Sequence, residues 1–96
     1  MNVLLRRSGN GVLEARCEAP SWNDFLKIVR HVKKEFGGRV VDKSEGPDAR
    51  AWRLRVAGKD IVVHQWDIGE LYIFANDAAG EDVVARLAES LKQLGQ

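Results

Sequence analysis

Three side chains in this chain of 96 residues could serve as a nucleophile, a neutral-pH base or a soft metal ligand: Cys17, His31 and His64. A thiolate nucleophile needs a nearby base and an electropositive setting. Cys17 instead alternates with charged residues in LEARCE, where Leu13, Ala15 and Cys17 take one side and Glu14, Arg16 and Glu18 the other. That pattern predicts a buried, inert thiol on the apolar side of a strand. His64 lies between Val63 and Gln65, and the nearest carboxylate in sequence, Asp67, is three strand positions on and points to the opposite face. His31 falls among Arg30, Lys33 and Lys34 on the outer side of a helix. Neither Cys-x-x-Cys nor paired histidines on one helical turn occurs, and the nine glycines form no phosphate-cradling motif. No catalytic residue, metal site, cofactor or small-molecule substrate is nominated.

Charge points to one further chemistry. The net charge is only +1, too small for a dedicated polyanion binder. It is unevenly spread: nine basic and five acidic residues up to Lys43, six and nine beyond it. Within the basic half, Lys27, Arg30, His31 and Lys34 share one face of a helix. A solvated face is one reading of this stripe, and contact with nucleic-acid phosphates is the other.

The elements that must position these residues are legible from periodicity. NVLLRR and VLEARCE flank an Asn-Gly turn and read as a hairpin. In WNDFLKIVRHVKKEF, Trp22, Phe25, Val29, Val32 and Phe36 recur at helical spacing; Ser21 and Asp24 supply a capping box, and Gly37 and Gly38 stop the helix. RVVDKSE is a strand, and RAWRLRV, IVVHQWD and ELYIFA form a meander with turns at Gly58–Lys59 and Ile68–Gly69. Val84, Leu87, Leu91 and Leu94 mark a closing helix that ends at Gly95. The expected fold is one α+β domain over residues 1–96, a two-layer sandwich of order ββαββββα with both helices on one face of a mostly antiparallel sheet.

On that register Leu54 faces Val63, Arg53 faces His64 and Val63 faces Phe74. One sheet face then carries Trp52, Leu54, Val56, Ile61, Val63, Tyr72 and Phe74 and belongs under the helices. The other carries Arg53, Arg55, Val62, His64, Trp66, Leu71 and Ile73, which is too apolar to meet water alone. Either the N-terminal hairpin folds over this face and makes Trp66 a core residue, or the face docks a partner.

The stretch GPDARAWRLRVAGKDIVVH, with its Asp-x-x-x-Trp spacing, hydrophobic hairpin and closing histidine, resembles a small bacterial family of unknown function. The overall form is also similar to bacterial immunity or inhibitor proteins, which neutralise a toxin by binding it. The expected function is a non-catalytic binding protein acting through the second sheet face on a protein partner or on a second copy of itself. The alternative is a nucleic-acid-binding accessory domain using the first helix. One cysteine permits no intrachain disulfide, no apolar run is long enough to span a membrane, and MNVLLRRSGN lacks a signal-peptide pattern. A cytoplasmic chain with no membrane partner is expected.

Overall fold

Alternating strands and two apolar helical stripes appear in the expected order in the computed structural model, which describes residues 1–19, 21–66 and 69–94. β1 (Val3–Arg7) and β2 (Leu13–Ala19) precede α1 (Trp22–Phe36). β3 (Arg39–Glu45), β4 (Ala49–Val56), β5 (Lys59–Trp66) and β6 (Gly69–Ala75) follow, and α2 (Glu81–Lys92) comes after a 3-10 turn at Ala78–Gly80. α2 ends at Lys92 with Gln93 as its cap, short of the expected end at Gly95, which itself lies outside the described residues.

α1 begins where the sequence places it. Ser21 and Asp24 close a capping box, with the Ser21 N–H donating to Asp24 Oδ2 at 3.1 Å. It ends at Gly37, whose left-handed φ of 64° carries no Cβ penalty and lets the cap N–H reach the Val32 carbonyl.

The strands form one antiparallel sheet in the order β1-β2-β6-β5-β4-β3. The N-terminal hairpin therefore does not fold over the sheet. β2 pairs with β6 and extends it. Both helices lie on the same face, α2 against β1, β2 and β6, and α1 against β2 and β5. Between the layers, Phe25, Ile28, Val32, Leu87 and Leu91 are buried with Leu54, Ile61, Val63, Leu71 and Ile73. At one end, Phe25 and Trp52 meet edge to face at 5.2 Å, and the Arg50 guanidinium lies 4.7 Å from the Trp22 ring centroid and 4.8 Å from that of Phe25.

Two registers differ from expectation, with different consequences. The β4–β5 turn is Ala57–Gly58, both at positive φ (51° and 77°), and Val56 pairs with Lys59. Such a pair matches the twist of a two-residue hairpin. It moves the register by two, so Trp52 faces Val63, Arg53 faces Val62 and His64 faces Ala51, with the faces of both strands retained. Between β5 and β6 the displacement is one residue: Trp66 pairs with Glu70, Val63 with Ile73 and His64 with Tyr72. Ile68 lies outside the described residues, and Gly69 is the first residue of β6 rather than half of a turn. An odd displacement exchanges faces. Leu71 and Ile73, expected beside Trp66, are fully buried beneath the helices, and Tyr72 and Phe74 take the other face.

Candidate functional site

The uncovered face is built by the strands whose other sides make the core. From β5 it receives Val62, His64 and Trp66; from β6, Glu70, Tyr72 and Phe74; from β4, Ala51, Arg53 and Arg55. β2 adds Glu14, Arg16 and Glu18, and β1 adds Leu4 and Arg6. Trp66 is 65% exposed and Leu4 54%. Val62, His64, Tyr72 and Phe74 are half-buried by one another. Hence Arg53, Arg55, Val62, His64 and Trp66 share the face expected of them. Leu71 and Ile73 do not, and Tyr72 and Phe74 are the aromatic residues that sequence reasoning assigned to the wrong side.

Charge on this face is largely paired within it. Arg6 Nε meets Glu14 Oε1 at 3.1 Å, and Arg55 and Arg53 approach the two oxygens of Asp60 at 3.1 and 3.6 Å. The Arg16 guanidinium pairs with Glu70, which also accepts the Tyr72 hydroxyl at 2.6 Å. The Tyr72 hydrogen bond and then Arg16 hold the Glu70 carboxyl below the usual carboxylate range, and the same bond raises Tyr72. Paired charges frame an apolar centre, the composition of an interface core with a polar rim.

The residues considered for chemistry are placed apart from one another. The His64 ring tilts against Trp66 at 5.9 Å and faces Ala51 and Tyr72 across the sheet. Asp67, the nearest carboxylate in sequence and expected on the opposite face, lies outside the described residues. Cys17 is fully buried, and desolvation pushes its thiol up to about 12, so it carries no thiolate near neutral pH. Among the described residues, no group of three or more His, Cys, Asp or Glu could hold a metal ion. No described helix is long and apolar enough to cross a membrane.

The basic residues of α1 occupy a different surface. Lys27, Arg30, His31 and Lys34 all line one cleft between α1 and the C-terminal end of α2, opposite Ser90, Gln93 and Leu94. His31 does not project outward as expected. It is half-buried, with Nε2 2.6 Å from Ser90 Oγ, bridging the helices. Spacing alone could not show this, because α2 supplies the opposite wall.

Comparison with protein-family models, with curated proteins and with solved structures finds no match.

Proposed function

We propose that the protein is a non-catalytic binding module whose open sheet face docks a protein surface, and that the occupant is a second copy of the chain. The 65% exposure of Trp66 at the end of an aromatic and aliphatic stripe is the observation that carries this reading. Large exposed aromatics are scarce on surfaces that meet only water and are enriched where binding energy concentrates.

The charge pattern supports self-association. On the half made by β1, β2 and β6, Arg6 and Arg16 are outnumbered by Glu14, Glu18 and Glu70. On the half made by β3, β4 and β5, Arg39, Arg53 and Arg55 outnumber Asp42 and Asp60. A two-fold axis parallel to the strands lays each half against its opposite, the self-complementarity that a symmetric dimer requires. The high pKa of the Cys17 thiol supports the non-catalytic part of the reading.

Acrylamide quenching of tryptophan fluorescence tests this directly, because Trp52 is buried while Trp66 is exposed in the monomer. Quenching should fall as protein concentration rises and Trp66 becomes covered. Quenching that is independent of concentration over the micromolar to millimolar range contradicts the self-associating face.

A further inference from the structure

The cleft between the helices has a volume of about 660 Å³, within the range of small-ligand sites. Its two walls differ in chemistry. α1 contributes Lys27, Arg30, His31 and Lys34, while the α2 side contributes a hydroxyl, an amide and a leucine from Ser90, Gln93 and Leu94. Elsewhere most cations have partners: Arg6, Arg7, Arg16, Arg53, Arg55, Arg86 and Lys92 pair with carboxylates, and Lys43 and Arg50 lie over aromatic rings. Lys33, Arg39 and Lys59 have no ion pair among the described residues, but they do not line this cleft. Among the described residues, Lys27, Arg30 and Lys34 have no ion pair and Glu35 is the one carboxylate on the cleft's lining. Cations three and four positions apart repel and weaken their own helix. An anion held between them would relieve that repulsion.

We propose that this cleft is a binding site for a small phosphomonoester with a hydroxylated body, of the sugar-phosphate class. The phosphate lies against Arg30, Lys27 and Lys34, where charge-assisted N–H···O bonds are strongest and the Arg30 guanidinium can engage two oxygens. The uncharged body lies across Ser90 and Gln93, which offer a hydroxyl and an amide, and against Leu94. His31, tied to Ser90, forms the floor joining the two walls. A long polyanion fits less well, because the cations are confined to one wall and Glu35 interrupts the lining.

The test is amide chemical-shift titration and calorimetry on the full chain, using inorganic phosphate, ribose 5-phosphate, a 12-nucleotide single strand, and sodium chloride at matched ionic strength. Ribose 5-phosphate should give saturable shifts at positions 27–35 and 90–94 and bind more tightly than inorganic phosphate. The combined Lys27→Gln, Arg30→Gln and Lys34→Gln change should weaken both by about tenfold or more. A Lys33→Gln, Arg39→Gln and Lys59→Gln variant, equal in charge removed, should leave binding intact, with thermal unfolding confirming that both variants are folded. Shifts that fail to saturate, or that chloride reproduces, overturn the site. Equal affinity for the two phosphates overturns the two-wall assignment, and tighter, steeply salt-dependent binding of the oligonucleotide replaces the pocket with a nucleic-acid interface.

Discussion

Glu70 shows how a single residue ties the open face together. It accepts the Tyr72 hydroxyl on one oxygen and the Arg16 guanidinium on the other, and so joins β6 to β2. Both partners favour the charged form, and its pKa is depressed in the fold. The stability it contributes is therefore fully present above the value of an unperturbed glutamate, about 4.3, and is lost as pH falls through the lower folded value. Glu81 follows the same sign, because Arg7 bonds both its oxygens at 3.0 Å and straps β1 to α2. Tyr72→Phe removes the larger cause of the Glu70 shift. The Glu70 carboxyl should then titrate at higher pH, followed by carbon NMR of the side chain, whereas Glu81 should not move. An unchanged Glu70 titration would show that the Tyr72 hydroxyl does not hold the carboxylate.

At the scale of elements, the turns govern the sheet. Ala57 takes φ 51° in the β4–β5 turn, a conformation that costs an ordinary residue about 1 kcal/mol and that asparagine tolerates. Ala57→Asn should raise stability by roughly 0.5 to 1 kcal/mol, read as a higher urea midpoint at unchanged slope. A lower midpoint would mean that the turn is not of this type. This turn also marks where sequence reading stops. Strand and helix order, the capping box at Ser21 and Asp24, and the burial of Cys17 were all legible, because periodicity and capping are local. Strand register is not local: Ala57 gives no sign that it will accept positive φ. In ELYIFA both alternating sets are apolar, so the pattern cannot say whether Leu71 and Ile73 or Tyr72 and Phe74 face the helices. The helices decide it: Leu71 and Ile73 pack beneath them, and the Tyr72 hydroxyl finds Glu70 on the side left open. The docking of β2 on β6 was equally hidden, and it is what leaves Trp66 uncovered.

For the whole molecule, the asymmetry between the two sheet faces assigns stability to one face and, under the proposed dimer, association to the other. One face holds the core, where Trp52 packs on Phe25 and donates from Nε1 to Glu45 Oε1 at 2.9 Å. The other holds Trp66, which contributes little to the fold because most of its ring already meets solvent. Truncating Trp52 to alanine should cost roughly 3 to 5 kcal/mol of folding stability. Truncating Trp66 should cost less than about 1 kcal/mol yet weaken association by about 2 kcal/mol, a roughly 30-fold change in dissociation constant. Sedimentation equilibrium of the wild-type chain and Trp66→Ala, with urea unfolding of both and of Trp52→Ala, puts the two quantities side by side. The wild-type chain should be a dimer that Trp66→Ala dissociates at an almost unchanged unfolding midpoint. A wild-type chain that stays monomeric at every concentration, or a Trp66→Ala variant that unfolds as readily as Trp52→Ala, would contradict this.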